Sequence, residues 1–306
     1  MKRTALITYA LLVLAHIHTA QAGPFEDGVT AYNRKDYPTA LRLWLPVATR
    51  GYAAAQYNLG VMHASGQGVA QDYVEAMKWY RLAAAQGYAL AQHNLAVMYA
   101  EGQGVVRDYA QAVKWYALAA AQGVAAAQSN LGLMHAEGQG VVQDYAEAVR
   151  WYRLGAAQGY AAAQYNLGRM YGNGQGVDRD FVETAKWYRL AAAQGYASAL
   201  YSLGSMYING QGVAQDYAEA AKWYRLAAAQ GHAAAQYNLG LMHGNGRGAV
   251  RDYVRAHMWF DLAALNGDAG ALKNRAIVAK LITAQQMAEA QQLARECQAR
   301  NFKACD

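Results

Sequence analysis

Proline, cysteine and charge are all scarce in this 306-residue chain. Prolines stand only at Pro24, Pro38 and Pro46, so everything beyond residue 46 is free of the strongest helix breaker. The two cysteines, Cys297 and Cys305, lie near the C-terminus without a Cys-x-x-Cys motif or flanking ligands. That disfavours a redox or zinc centre and, for an exported chain, favours a disulfide between them. Charged residues make up 16% of the sequence and hydrophobic ones 55%. The apolar share is carried by alanine, tyrosine and tryptophan rather than by long aliphatic runs, a composition suited to closely packed helices.

An apolar run occurs at the start, from about Ala5 to Ala15, behind Lys2 and Arg3 and ahead of Ala20-Gln21-Ala22. It is shorter than the roughly 20 residues of a membrane-spanning helix and has the three regions of a secretory signal peptide. Residues 1–22 are therefore expected to be removed after Ala22, leaving a periplasmic or secreted chain that begins at Gly23 and has no integral membrane span. The leader carries two of the 27 basic residues and none of the 21 acidic ones, so the formal charge falls from +6 to +4. Export makes nucleic acid an improbable partner, and a mild basic excess is weak evidence for an acidic one.

The 30 glycines fall at regular stations. Gly51 is followed by equivalents at Gly87, Gly123, Gly159, Gly195 and Gly231, and Gly267 opens a degenerate copy. Six units of 36 residues account for 51–266. Each predicts two helices and two turns. In the first unit Asp72 caps the second helix, with Glu75 three residues on to complete a capping box; Asp144/Glu147, Asp180/Glu183 and Asp216/Glu219 repeat the pair. Gly-Gln-Gly turns supply the left-handed backbone that ends the first helix. A phosphate cradle is the alternative reading of such turns, but the aspartate that follows would repel the anion.

Along the second helix Tyr73, Ala76, Met77, Tyr80, Ala83 and Ala84 keep the spacing of one buried face, with Glu75, Lys78 and Arg81 on the opposite ridge. Trp44, Trp79, Trp115, Trp151, Trp187, Trp223 and Trp259 occupy one station per unit. Recurrence on an apolar face points to packing between repeats rather than to carbohydrate platforms.

Together, Ala-x-Ala-Gln-Tyr-Asn-Leu-Gly-x-Met, Gly-x-Gly-Val, Asp-Tyr and Trp-Tyr-x-x-Ala-Ala-x-Gly resemble the Sel-one-like repeat, a relative of the tetratricopeptide repeat. The resemblance covers about 51–266. It implies an all-α, right-handed α-solenoid of helix-turn-helix repeats that works as an adaptor in envelope assembly, signalling or host interaction. Residues 23–50 look like an N-terminal capping repeat in which Pro46 ends the pattern early. Residues 267–306 look like a degenerate repeat and a capping helix, started by Thr283 and Gln286 and stapled by Cys297–Cys305.

Comparison of the copies separates constant stations from variable ones. Ala55, Leu59 and Met62 scarcely change, whereas the station of Tyr57 becomes His93, Ser129, Tyr165, Tyr201, Tyr237 and Lys273, and that of Val61 becomes Val97, Leu133, Arg169, Ser205, Leu241 and Ile277. In tetratricopeptide-like arrays the first helices line the concave face. The resemblance therefore places Tyr57, His93, Tyr165, Arg169, Tyr201, Ser205 and Tyr237 in a groove for a protein or peptide partner. The recurrent Asn58, Asn94, Asn130, Asn166 and Asn238 are expected to make a structural hydrogen bond.

Catalysis needs unlike groups to converge, whereas repetition presents like groups in parallel. His63, His135 and His243 share a station, yet side chains two units apart stand on the order of 20 Å from each other, while zinc ligands lie about 2 Å from the metal. No metal, cofactor or catalytic residue is expected, and the chain reads as a binding module. The alternative is a cell-wall-directed hydrolase of β-lactamase-like type, as in a cysteine-rich branch of the family. This sequence lacks that branch's cysteine pair in each repeat and has no Ser-x-x-Lys.

Overall fold

The computed structural model describes residues 23–303 and 305; the expected signal peptide, 1–22, lies outside the described residues. These form sixteen helices and no strand, an all-α solenoid of helix-turn-helix repeats. Two compact units divide at Ala83 and Ala84. The first holds α1 (Pro24–Asn33), α2 (Tyr37–Thr49) and α3 (Ala53–Ser65), and α4 (Tyr73–Ala85) runs across the division. The second holds α5 (Ala89–Glu101), α6 (Tyr109–Ala121), α7 (Ala125–Glu137), α8 (Tyr145–Ala157), α9 (Ala161–Asn173), α10 (Phe181–Ala193), α11 (Ala197–Asn209) and α12 (Tyr217–Ala228). It continues with α13 (Ala233–Asn245), α14 (Tyr253–Leu265), α15 (Ala269–Ala279) and α16 (Ala284–Ala299).

The same devices bound each hairpin. Gly66, Gly102, Gly138, Gly174, Gly210 and Gly246 terminate the first helices in the left-handed conformation. The second glycine of the turn allows close approach as well. A side chain on Gly140 would overlap the Tyr109 carbonyl, because this loop lies on the start of the preceding repeat's second helix. Asp108, Asp144, Asp180, Asp216 and Asp252 accept from the backbone N–H three residues on and so cap the second helices. The glutamate half of the expected capping box is used differently. Glu75, Glu147, Glu183 and Glu219 pair with Lys78, Arg150, Lys186 and Lys222 one turn later. A flexible cation at i+3 competes for the carboxylate; Thr283 and Gln286, with no such cation, form the full box.

Alanine, leucine and methionine fill the core, Ala55, Leu59 and Met62 being fully buried in the first unit. Tryptophans close the seams between repeats. Trp151 of α8 packs on the cluster formed by Ala112, Tyr116, Leu131 and Met134, and Trp187 of α10 on the one around Tyr152 and Leu167.

In α5, α7, α9 and α13 a buried amide binds the first helix to its two neighbours. Gln128 Nε2 donates to the Ala120 carbonyl at the end of α6 (3.1 Å), while its Oε1 accepts from Gln158 Nε2 beyond α8 (2.8 Å). Gln92 and Gln164 repeat both bonds, and Gln236 does so with Asn266 as the second donor. The recurrent asparagine lies beside the same seams, where Asn130 and Asn238 lower the proton affinity of the Tyr116 and Tyr224 hydroxyls against the larger effect of burial.

At the N-terminal end Pro46 does not end the pattern: α2 continues through it to Thr49. Proline removes one donor near the end of the helix, while buried Trp44 and Ala48 on either side hold the last turn to the core. Trp44 Nε1 also donates to the Phe25 carbonyl (3.0 Å). At the other end α16 packs on α14. Cys297 and Cys305 are joined in a disulfide with their Cα atoms 5.0 Å apart, and Phe302 between them rests near Gly231.

Gln128→Ala should lower unfolding free energy in urea by about 1–3 kcal/mol, because it removes two hydrogen bonds, one to the Ala120 carbonyl and one from Gln158, each worth about 0.5–1.5 kcal/mol. Gln291→Ala, on the exposed side of α16, should change it by less than about 0.5 kcal/mol. Equal effects would show that the buried amide carries no special weight.

Candidate functional site

Each aromatic residue of the variable station leans on the aromatic ring of its own repeat's second helix. Ring centroids are 5.9 Å apart for Tyr57 and Tyr80, 5.7 Å for His93 and Tyr116, 5.3 Å for Tyr165 and Tyr188, 5.7 Å for Tyr201 and Tyr224, and 5.7 Å for Tyr237 and Phe260. The second-helix rings are buried, and the variable ones half-buried. Except in the repeat of His93, where Ala96 stands, a glycine at the next turn of the first helix makes room: a side chain on Gly168 would strike the Tyr188 ring. The stripe is thus a row of rings with one edge packed and the other toward solvent.

Within the second unit these residues form two groups. Tyr165 stacks on Tyr188 and meets Tyr196, the residue before α11, at 5.2 Å. Arg169, one helical turn on, is exposed and acts electrostatically on Tyr152, Tyr188 and Tyr196. The second group holds Tyr201 between Tyr224 and His232, whose ring lies 4.7 Å away and nearly parallel. Ser205 Oγ lies 3.0 Å from the Tyr224 hydroxyl. His93 and Tyr237 belong to neither. Tyr237 accepts from Asn274 Nδ2 of α15 at 2.8 Å, which ties it to the C-terminal cap. Burial raises the proton affinity of the Tyr152, Tyr188 and Tyr196 hydroxyls and lifts that of Tyr224 to about 12, so all four stay protonated donors at neutral pH.

Sequence reasoning missed His232, Tyr196 and the second-helix tyrosines as parts of this surface. Tyr196 and His232 precede the first helices that follow, and their sequence positions read as turn; only the hairpin geometry carries them against Tyr165 and Tyr201. Among the described residues no three His, Cys, Asp or Glu side chains gather as a metal-binding group, and no helix is long and apolar enough to cross a membrane.

Tandem helical hairpins, a constant packing face and a variable aromatic one define the class: an all-α repeat scaffold. The Sel1 repeat family model matches six consecutive segments, 53–88, 89–124, 125–160, 161–196, 197–232 and 233–268, and the chain belongs to that family. Its frame opens at the first helix of each hairpin, two residues after the glycine that punctuates the sequence. A Sel1 repeat protein from Oxalobacter formigenes is similar at 31% identity and a TM-score of 0.74, over 79% of this chain and 97% of that one. The protective antigen c5321 present in uropathogenic Escherichia coli strains, which displays an SLR fold, is 28% identical with a TM-score of 0.52, over 92% of this chain and 85% of that one. No curated protein matches. The repeat fold is in general a scaffold for protein–protein interaction, and proteins built on it are typically non-enzymatic.

Burial pushes the His93 imidazole down to about 4. A histidine held neutral in the folded state stabilises fully above its unfolded pKa of about 6.5, and that stability is lost as pH falls from there toward 4. In urea unfolding at pH 7.5 and 4.5, His93→Tyr, which installs the residue of Tyr57 and Tyr165, should weaken the acid destabilisation by up to about 3 kcal/mol. An unchanged pH dependence would show that His93 protonates freely in the fold.

Proposed function

We propose that the mature chain is an exported scaffold that binds a partner protein or peptide along the surface of its first helices. The residues engaged are Tyr57, His93, Tyr165, Arg169, Tyr201, Ser205 and Tyr237. One observation carries this reading. The two stations that vary from copy to copy are half-exposed or exposed in most repeats, Val61 and Ser129 being the buried exceptions, on helices whose buried stations hardly vary. Rings already packed along one edge lose little conformational freedom on binding, so their exposed edges offer contact area at small entropic cost.

Export is supported by the basic, apolar and small-residue regions of 1–22, with cleavage after Ala22, and by the Cys297–Cys305 disulfide, which suits an oxidising compartment. A similar protein is a protective antigen, which fits a chain that leaves the cytoplasm. In the corresponding domain organisation 23–50 caps the start of the array, 51–266 carries the six repeats, and 267–306 closes the end. The C-terminal cap buries Ala294 and Cys297 with Met258, Trp259 and Leu262, apolar groups that a further repeat would otherwise cover.

The test is crosslinking in cells that make the full chain, with captured envelope or secreted proteins compared between wild type and a Tyr165→Ala/Tyr201→Ala variant of unchanged helicity. Loss of a discrete captured band supports the surface, and undiminished capture removes it. N-terminal sequencing of the exported form should read from Gly23, and its presence in periplasm or culture supernatant separates an envelope role from a host-directed one.

A further inference from the structure

Two opposite charges meet at one junction that occur together at no equivalent junction of the second unit. Arg169 of α9 stands where the other repeats of the second unit have Val97, Leu133, Ser205 and Leu241, and Glu137 ends α7 at the station of Glu101, Asn173, Asn209 and Asn245. Both line one cleft of about 160 Å³, with Tyr145 and Tyr152 of α8 and Asn166 of α9. Glu137 and Arg169 are exposed, and neither takes part in an ion pair among the described residues. The Tyr152 hydroxyl feels both charges, Glu137 raising its proton affinity and Arg169 lowering it, after burial as the main cause.

Opposite charges that share a cleft without pairing are each left to water, and a ligand of opposite dipole satisfies both at once. The guanidinium offers a planar fork that matches a carboxylate, and Asn166 lines the same cleft. Glu137 offers only acceptors, which suits an ammonium or guanidinium.

Resting on the scaffold reading above, we propose that the Glu137–Arg169 cleft is the anchoring subsite of the interaction surface. It takes neighbouring acidic and basic side chains of a partner peptide, the carboxylate on Arg169 and the cation on Glu137. Equivalent junctions of the second unit lack one charge or both, so this subsite sets the position of the partner along otherwise similar repeats.

The experiment is an NMR titration of the mature protein that follows the Arg169 side-chain Nε–H signal, assigned by its absence in Arg169→Gln. The probe is a flexible Gly/Ser peptide, blocked at both ends, with one adjacent Glu-Lys pair, together with versions in which either charged residue is Gln. The Glu-Lys peptide should give a saturable shift, weakened about fivefold by neutralising either residue and weakened further by 0.5 M salt. Followed through backbone amides of α9, Arg169→Gln should erase the preference for Glu and keep that for Lys, and Glu137→Gln should do the converse. A shift that does not saturate, or a preference that survives in both variants, overturns the subsite. Equal binding by a peptide whose only anion is a free C-terminal carboxylate overturns the assignment to side chains. Partner crosslinking distinguishes the two levels: if it still depends on Tyr165 and Tyr201 while the peptide preferences are absent, the subsite fails and the scaffold stands; if both are indifferent, both fail.

Discussion

The hydrogen-bonded glutamine at the start of the first helices sets the step of the array. An amide buried without partners costs about 1–3 kcal/mol, and Gln128 escapes that cost only if the end of α6 and the end of α8 both come within reach of one side chain. A purely apolar seam would tolerate sliding and rotation, since dispersion and area burial are non-directional. The two bonds of the amide are directional, and they fix the preceding and following second helices relative to the first helix between them. Where Leu200 replaces the glutamine, Gln230 still reaches the Gly195 carbonyl (2.9 Å), and the same bond from Gln194 to Gly159 (2.8 Å) runs beside the amide of Gln164. The seam therefore has a second directional tie that survives loss of the first.

A fixed step constrains function as much as fold. Equivalent side chains are carried past one another by a constant displacement, so the array offers rows rather than convergent clusters. His63, His135 and His243 illustrate it: they share a station, and His243 Nδ1 faces the carbonyl of Val250, in the loop of its own hairpin (3.3 Å), rather than another histidine. Groups of unlike chemistry come together only where neighbouring stations, or neighbouring repeats, differ from the consensus. Tyr165 with Tyr196 and Arg169 is one such place, and Tyr201 with His232 and Ser205 is another.

How far the sequence can be read follows from which forces leave a local trace. Helix limits are legible because Asp caps and left-handed glycines act within a few residues, and the Trp station because a large apolar residue at a constant step has few other uses. Gln56 and its equivalents are less legible: periodicity sorts polar side chains to the outside, although Gln56 lies three residues before Leu59 on the apolar face, which is the available signal. The station of Asn58 suggests a structural hydrogen bond, but the buried amide that ties the seams is that of the glutamine. Pro46 suggests a stop because propensity is local, whereas burial of Trp44 and Ala48 is tertiary and overrides it. The pairing of each variable ring with a second-helix ring depends on how the hairpin closes, which no spacing reports.

The variable station is thereby less free than its variability suggests. Tyr57, Tyr165, Tyr201 and Tyr237 rest on a ring beneath them, so residues there are selected by packing as well as by any partner, and a small side chain such as Ser129 becomes buried while Tyr152 beside it keeps its burial. The neighbouring station, that of Arg169, carries an uneven load: Val61 is buried, Val97 and Leu241 pack on core clusters, Ser205 meets the Tyr224 hydroxyl, and Arg169 is exposed. At the exposed Arg169 position substitution changes charge at little structural cost. On the proposed binding surface, rings at the first station supply contact area in the repeats that carry one, and Arg169 at the second adds a charge that no equivalent position of the second unit has.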